Sequence, residues 1–303
     1  METIRVILNS SSLAAISAGF NTVFNRGFGG VDPIYSAICM MTKSSGSDEV
    51  YAWLGQLPSI REWLGGRVAS KLQTEGFRIE NRKFESTVEV PRTSIEDDKI
   101  GVFSPMFEDL GRRAAEFPDQ LLAELIASGF TSNGYDGQSF FDTDHPVSQA
   151  PGGIVDSVSN YTSGAGPAWY LLDLSRAVRP FIYQERIPFA MQRRDQDGDS
   201  SVFNDDTYYY GVRGRCNVGF GLWQLAYASK AALDADNYET ARAAMAKMRG
   251  DNGKLLGVKG THLLVPAELE GAGRKLLKSQ MGTGGESNPW FESAELIVSP
   301  WLA

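Results

Sequence analysis

Histidine is the usual general base and metal ligand, so His145 and His262, the two histidines of the chain, come first. Asp142 and Asp144 precede His145 in the run YDGQSFFDTDHP, which places two carboxylates and an imidazole within four residues. A metal site needs three or four ligands in fixed geometry. A DTDHP turn more often uses these side chains to satisfy its own backbone. We therefore predict no metal site, and keep a soluble metal-dependent hydrolase using these three residues as an alternative.

An acidic loop is the second candidate for ion binding. Asp195, Asp197, Asp199 and Asp206 have the spacing of the first, third, fifth and twelfth positions of a calcium-binding loop. Ser200 stands where such a loop needs glycine, and the last position is aspartate rather than the bidentate glutamate. The pattern favours a solvated loop and leaves calcium binding open as an alternative.

Motifs for nucleophilic catalysis and nucleotide binding are absent from the sequence. It contains no GxSxG, no GxGxxG and no Walker-type glycine loop. Cys39 and Cys216 lie far apart and neither is near a histidine in sequence, which favours two reduced, buried thiols. We therefore expect no catalytic residues, no cofactor and no enzymatic activity.

The composition is that of a folded chain with real cores. Its 303 residues include 42% hydrophobic and 11% aromatic residues, enough for one large domain or two small ones. A formal net charge of −8 argues against wrapping nucleic acid, because phosphates would repel it. The N-terminal run lacks the basic lead and apolar core of a signal peptide, and no apolar run reaches the roughly 20 residues that cross a bilayer. We expect a soluble cytoplasmic protein without membrane contact.

Residues 1–50 are predicted to form an arm. Leu13, Ile16, Phe20 and Phe24 recur at near-helical spacing, which predicts one short amphipathic helix that ends at the following glycines. The arm has too few apolar residues for a core of its own, so its apolar face is expected to rest on something else.

Residues 51–93 are predicted to form an extended hairpin. The first limb, VYAWLGQLP, is rich in strand-forming residues, and the return limb, FESTVEV, alternates as a half-buried antiparallel strand does. The segment has seven basic and five acidic side chains, a charge of +2, which leaves −10 on the rest of the chain. A lone long hairpin is marginal in water, so we expect it to lie on the acidic body of another copy.

The strongest helical signal spans residues 94–130. Ser104 and Pro105 have the types of an N-cap and a first-turn proline, and Gly129 is predicted to end the helix. Pro118 should kink it or mark a junction between two helices. The apolar spacing is three to four residues over five turns, at Phe107, Leu110, Ala114, Phe117, Leu121 and Leu125.

Residues 131–279 are predicted to form a mixed region with a helix at 168–178, and residues 280–303 are predicted to end in a strand.

Several segments resemble the major head subunit (gpT) family of Mu-like phages. They are FNRGF (24–28), WLGQLPSIREWLGGR (53–67), FESTVEVPRTSIEDDKIGVFSP (84–105), YDGQSFFDTDHP (135–146), LLVPAELE (263–270) and AELIVSPWL (294–302). They occur in order over essentially the whole chain. The pattern WLG-x-x-P-x-x-REW-x-G-x-R is long and specific.

The resemblance implies an α+β chain with the Hong Kong 97-type phage capsid fold. In that fold an N-terminal arm (1–50) leads into the E-loop β-hairpin (51–93). The P domain follows with its long spine helix (94–130) and takes back a strand from 280–303, and the A domain covers 131–279. The implied function is a major capsid protein that self-assembles, as hexamers and pentamers, into the icosahedral head shell around the phage DNA.

Two sets of residues are predicted to serve the shell. Aromatic and arginine side chains dominate interface energetics, so the hairpin contacts between subunits are predicted at Trp53, Arg61, Trp63 and Arg67. In related shells the spine helix faces the lumen, where an acidic face would repel packaged DNA and keep it mobile. That face is predicted to comprise Glu96, Asp97, Asp98, Glu108 and Asp109.

The resemblance also implies partners and a location. The expected partners are further copies of the chain, a scaffold or head-maturation protease, a portal, and a decoration protein, with DNA enclosed but not bound sequence-specifically. The expected location is the virion, after assembly in the cytoplasm of the host bacterium. An encapsulin-type nanocompartment shell around a cargo enzyme is the alternative within the same fold.

Overall fold

A computed structural model describes residues 10–51, 54, 77–97, 100–148, 155–196, 198–250, 253–282 and 284–302. The chain divides into two units, each assembled from three separate stretches. Unit 1 comprises Met1–Pro33, Asn81–Pro118 and Glu185–Asn217. Unit 2 comprises Ile34–Glu80, Asp119–Gln184 and Val218–Ala303.

Helices and strands alternate irregularly, as expected for an α+β chain. The helices are α1 (Ser10–Gly29), α2 (Tyr35–Ile38), α3 (Arg92–Glu96), α4 (Ser104–Ser128), α5 (Ser200–Asp205), α6 (Ala235–Ala246) and α7 (Glu270–Lys278). The first strands are β1 (Cys39–Lys43), β2 (Asp48–Tyr51), β3 (Phe77–Glu80), β4 (Arg82–Pro91), β5 (His145–Ser148), β6 (Val155–Val158) and β7 (Tyr161–Thr162). The later strands are β8 (Trp169–Leu172), β9 (Phe181–Arg194), β10 (Thr207–Phe220), β11 (Ala226–Ser229), β12 (His262–Pro266) and β13 (Glu295–Ser299).

The described strands form four sheets. A four-stranded sheet has the order β1-β9-β10-β4, and a five-stranded sheet has the order β13-β12-β8-β11-β7. Two small sheets pair β2 with β3 and β5 with β6. Since β13 runs parallel to β12, the C-terminal strand shares a sheet with segments from 161–266, which the sequence had assigned to the A domain.

The core of unit 1 is aromatic and forms between α1, α4 and one face of β10. Phe20 of α1 stacks on Phe107 of α4 with ring centroids 4.2 Å apart, and it meets Tyr210 edge-on at 5.2 Å. Leu13, Phe20 and Phe24 are all buried, which confirms the helix predicted in the arm. The helix is 20 residues long, and its apolar face rests on unit 1 itself.

Two glycines allow α1 and α4 to cross with their backbones in contact. A Cβ atom added to Gly27 would lie 2.0 Å from the carbonyl oxygen of Glu108. A Cβ atom added to Gly111 would lie 2.1 Å from the carbonyl oxygen of Phe24. The two glycines are therefore required on both sides of the crossing, because any side chain would force the helices apart.

The core of unit 2 contains strands that are buried along their whole length. Every residue of β8 and of β11 is buried, and β8 pairs antiparallel with both β11 and β12. Strands covered on both faces read as continuous apolar runs rather than as alternating patterns. This explains why the predicted helix at 168–178 is wrong: the segment contains the strand Trp169–Leu172.

The predicted partner of the strand at 84–90 is also wrong. The alternation does mark a strand, but β4 pairs with β10, with Pro91 opposite Thr207 and Arg82 opposite Cys216. The start of the predicted hairpin forms instead between β2 and β3, with Tyr51 opposite Phe77. Register with a distant strand depends on tertiary packing, which local alternation does not encode.

Pro118 does not divide the long helix into two. It lies inside α4, which runs without interruption from Ser104 to Ser128. The last residue of this stretch of unit 1 is Pro118, and Asp119 begins the next stretch of unit 2. The carboxylate of Asp119 accepts hydrogen bonds from the backbone N–H groups of Ile34 and Tyr35, at 3.0 and 2.6 Å.

Candidate functional site

The DTDHP turn places His145 in the interior of unit 2. Its side chain has no exposed surface, and its ring stacks on the indole of Trp223 with centroids 3.9 Å apart. The Nδ1 atom lies 2.7 Å from a carboxylate oxygen of Asp136, and the Nε2 atom lies 3.2 Å from the amide oxygen of Asn160. Both ring nitrogens are thus occupied by protein oxygens.

Asn160 holds this cluster together. Its amide nitrogen donates to the carbonyl oxygens of Phe140, Trp223 and Ala226, at 2.8, 3.4 and 3.3 Å. Its amide oxygen accepts from the backbone N–H of Asp142 at 2.9 Å. A fully buried amide with so many partners fixes the path of the surrounding loops.

The two aspartates of the turn do not gather with His145 into one group of ligands. Asp142 accepts a hydrogen bond from the backbone N–H of Thr143 at 2.7 Å, and Asp144 is exposed. Within the described parts of the chain, no group of three or more His, Cys, Asp or Glu side chains could hold a metal ion. The histidine serves packing and hydrogen bonding in unit 2, and the geometry gives no support to the hydrolase alternative.

The acidic loop of unit 1 is folded differently from a calcium-binding loop. The carboxylate of Asp195 is buried, accepts from the hydroxyl of Tyr210 at 3.2 Å, and lies 3.6 Å from Arg193. Helix α5 occupies Ser200–Asp205, where a calcium loop would continue its extended ligand-bearing path. Asp197 lies outside the described residues. Asp195 is therefore a structural anchor for the end of β9.

The acidic face predicted on the spine helix is largely paired with arginines. Glu108 forms a two-pronged contact with Arg26 of α1, the closest atoms being 2.5 Å apart. Asp109 accepts from Arg113 at 2.5 Å and from Arg112 at 2.9 Å, and these bonds hold the pKa of its carboxyl below the usual range. The negative field predicted for these residues is therefore weaker than their number suggests.

Of the three remaining members of that face, one is paired, one is exposed and one lies outside the described residues. Glu96 lies 3.2 Å from Arg92, one helical turn earlier, and Asp97 is exposed directly after it. Asp98 lies outside the described residues. So do Trp53, Arg61, Trp63 and Arg67, the side chains predicted to make contacts between subunits, and their role stays a prediction.

Some structurally important residues were not found from the sequence. Asp136 and Asn160 lie nine and fifteen residues from His145, and no motif spacing links the three. The pairing of Arg26 with Glu108 spans 82 residues and has no local signature. By contrast, the pairs of Asp109 with Arg112 and Arg113 have helical spacing and could have been predicted from the sequence.

Both free cysteines are buried, as predicted. Burial raises the pKa of the Cys39 thiol well above its ordinary value, so this thiol stays protonated at neutral pH.

None of the described helices is long and apolar enough to cross a membrane.

Comparison with known proteins identifies relatives that match along the full chain. Residues 13–302 match the family described as Mu-like prophage major head subunit gpT. The Mu-like prophage FluMu major head subunit of Haemophilus influenzae is 43% identical over 299 residues, covering 95% of this chain and 97% of that protein. The major capsid protein of Escherichia phage Mu is 36% identical over 305 residues, covering 98% and 100%.

A solved structure agrees with the sequence relatives. The procapsid of bacteriophage JBD30 contains a chain that is 39% identical and superposes with a TM-score of 0.87. The match covers 97% of this chain and 100% of that one. The described fold, with its interleaved units, is thus close to that of a subunit in an assembled phage head precursor.

Proposed function

The chain belongs to the Mu-like prophage major head subunit (gpT) family, and from that premise we propose how its surfaces build a shell. It is a major capsid protein with the Hong Kong 97-type fold, and its place is the virion, in the shell of a Mu-like phage head. The observation that carries this conclusion is the match over residues 13–302, together with relatives covered over at least 97% of their length. The nanocompartment alternative is set aside on the same ground.

The proposed mode of assembly is a set of repeated contacts between unlike surfaces. Closed shells form when such heterologous contacts close around rotation axes, here in hexamers and pentamers. The predicted hairpin at 51–93, with its charge of +2, would lie on a neighbouring copy, whose remaining residues sum to −10, through its part before β4, because β4 pairs with β10 of its own chain. Trp53, Arg61, Trp63 and Arg67 would anchor this contact, because large aromatic and arginine side chains contribute most to binding.

The proposed position of the spine helix is on the lumenal side of the shell. Glu108 and Asp109 are fully compensated by Arg26, Arg112 and Arg113, so in this proposal repulsion that keeps DNA mobile comes mainly from Glu96, Asp97 and Asp98. In this arrangement DNA is enclosed without sequence-specific contacts.

The proposed partners of the shell are separate proteins. They are a scaffold or head-maturation protease, a portal at one vertex, and a decoration protein. The family is a structural one, and we propose that this chain carries no enzymatic activity and needs no cofactor.

Replacement of Trp63 by alanine tests the assembly proposal. The expected result is a folded subunit, shown by circular dichroism, whose yield of particles in electron micrographs falls far below that of the unchanged chain. The reason is the loss of an aromatic anchor at a repeated contact. A normal yield of particles from the Trp63→Ala variant would overturn the proposed role of the hairpin.

A single introduced cysteine tests the lumenal proposal. The native Cys39 and Cys216 are buried and should give little background, so Glu96→Cys offers the main reactive thiol on the predicted face. A bulky maleimide polymer should label this thiol only after particles are opened. Labelling of intact particles at the same rate would place this face outside.

A further inference from the structure

A groove of about 340 Å³ lies between α1 and β9 in unit 1. The strand contributes three consecutive residues, Met191, Gln192 and Arg193, and the helix contributes residues between Ala14 and Asn21. Consecutive side chains of a strand point to opposite faces of the sheet. A groove that touches three of them in a row therefore runs along the edge of β9. We name it the β9 groove.

The strand β10 occupies the opposite edge of β9. The two strands are neighbours in the four-stranded sheet, and each has fourteen residues. At one end of the pair, the backbone N–H of Gly221 donates to the carbonyl oxygen of Pro180 at 2.8 Å. Further along, Gly214 lies against the ring of Phe189. The β9 groove is therefore on the edge that faces away from β10.

The strand β1 lies beside only the beginning of that edge. It has five residues, and the hydroxyl of Thr42 donates to the carbonyl oxygen of Tyr183 at 3.2 Å, near the start of β9. Pro188, further along β9, lacks a backbone N–H, and proline inside a strand is typical of a sheet edge. Among the described strands, only β1 and β10 neighbour β9, so the edge at 191–193 is open.

The open edge and the helix opposite it define what fits between them. An open edge presents backbone N–H and C=O groups with which an extended chain can pair. The opposite wall is low, because Ser17 and Ala18 of α1 are small. Large apolar side chains of an added strand would therefore fill the space between the edge and α1. The occupant that fits is an extended segment with large apolar side chains at every second position.

The residues directly before α1 have this pattern. Residues 1–9, METIRVILN, lie outside the described residues and lead straight into Ser10. Thr, Ile and Val, three residue types that favour strands, account for four of the six residues in TIRVIL (3–8). Alternation along a strand would place three large apolar side chains on one face, namely Ile4, Val6 and Leu8.

The length and the attachment of this segment also fit the groove. Six extended residues span about 20 Å at about 3.3 Å each. Along α1, the path from Ser10 to Asn21 covers about 16 Å at about 1.5 Å per residue. Asn9 is of a type common in turns and would let the chain reverse at the start of the helix. A segment attached this close to the groove has a high effective concentration there.

We propose that residues 3–8 lie in the β9 groove as a strand added to β9 of the same chain, with Ile4, Val6 and Leu8 against α1. The added strand closes the free edge and keeps it from pairing with other chains. This inference goes beyond the proposed assembly, because it concerns how a single subunit completes its own sheet.

A bulky side chain placed in the groove tests the docking. Ala18→Trp fills the β9 groove and should release residues 3–8. Trypsin should then cut after Arg5 at least about tenfold faster than in the unchanged chain, since cleavage follows the population of the open form. Ala15→Trp is the matched control, because Ala15 is exposed on α1 and does not line the groove. Mass spectrometry of dissociated subunits measures the loss of residues 1–5, and equal rates in the two variants would overturn the proposal.

Pairs of introduced cysteines test the alternation. Ala18→Cys is combined with a second cysteine at position 4, 6 or 8, and at least one of these pairs should form a disulfide within one chain. A second cysteine at position 3, 5 or 7 should form none, since these side chains point to the other face. The native Cys39 and Cys216 are buried and contribute little background. Disulfides formed equally by both sets, or by neither, would contradict the added strand.

Non-reducing gels of the same variants identify the chain that supplies the strand. A bridge within one chain leaves a monomer, whereas a bridge between chains gives a dimer. A dimer as the main product would mean that a second copy fills the groove, and the assignment to the same chain would fall. Circular dichroism shows that each variant is folded. Particle formation by the unchanged chain is scored separately, so failure of the groove proposal leaves the assembly proposal standing.

Discussion

The strands of the two units differ in what covers them. In unit 2, β8 and β11 are buried at every position, so both faces of these strands lie inside the protein. In unit 1, the stretch of β10 from Thr207 to Cys216 alternates between buried and more accessible residues, and most of β4 is exposed. The strands β8 and β11 are covered on both faces, whereas β10 and β4 have one face towards the core and one more accessible face.

We expect from this difference that the two units serve the shell in different ways. A sheet covered on both faces gains its stability within one chain. An open face that carries Lys83, Arg213 and Arg215 offers charged groups to a partner without disturbing the core behind it. We therefore expect substitutions in the interior of either unit to change folding, and substitutions on the open face of unit 1 to change assembly alone.

The largest effect on folding is expected at the crossing of α1 and α4. Gly111→Ala should lower the free energy of unfolding by about 3 kcal/mol, because its Cβ would collide with the backbone of the other helix. Gly19→Ala is the matched control, since a Cβ there meets nothing within 4 Å and alanine favours a helix by roughly 1 kcal/mol over glycine. Chemical denaturation of dissociated subunits measures both. Equal stability of the two variants would show that the backbones do not touch.

A somewhat smaller effect is expected in the interior of unit 2. Asn160→Ala removes the hydrogen bonds to three carbonyl groups and to the backbone of Asp142, and should cost about 2 kcal/mol. Thermal unfolding gives the comparison with Ser159→Ala, which removes a partly buried hydroxyl nearby. An Asn160→Ala variant as stable as Ser159→Ala would mean that the buried cluster around His145 is not structural.

A modest dependence of stability on pH is expected from the edge of the unit 2 sheet. Burial lowers the pKa of His262, and Glu295, 3.3 Å away, opposes this only in part. Protonation of His262 therefore favours the unfolded chain. The stability that the neutral imidazole contributes is fully present above the unfolded pKa of about 6.5 and is lost as the pH falls below it. The variant His262→Gln should show a smaller change in melting temperature between pH 7.5 and pH 5.5 than the unchanged chain. An unchanged slope would contradict the assignment.

The smallest effect on folding is expected on the open face of unit 1. Arg213→Gln should leave the free energy of unfolding within about 0.5 kcal/mol of the unchanged chain, as for most surface substitutions. Denaturation with urea checks this. A loss comparable to that of Gly111→Ala would mean that the open face contributes to the core, and would remove the contrast between the two sheets.

Local patterns in the sequence predicted elements well where one face is polar. The spacing of Leu13, Phe20 and Phe24 predicted α1, and the alternation in FESTVEV predicted β4. The same logic failed at Trp169–Leu172, because a strand buried on both faces has no alternation to read. The long helix was predicted, and of the two roles predicted for Pro118 the junction between two helices is wrong, because α4 continues through it.

Partners distant in sequence could not be predicted from such patterns. Nothing local indicates that β4 pairs with β10, or that Arg26 meets Glu108. The buried cluster depends on Asp136 and Asn160, whose residue types are common in loops and carry no signal of burial. The long motif shared with a known family supplied what local patterns could not, namely the order of the elements and the function.

Hydrogen–deuterium exchange on assembled particles and dissociated subunits tests the central claim most directly. The account predicts that segments 82–91 and 200–216 of unit 1 gain protection on assembly, because a second copy covers them. It predicts equally strong protection of 169–172 and 226–229 in both states, since these strands are already buried. Unchanged exchange at 82–91 and 200–216 in intact particles would contradict the account.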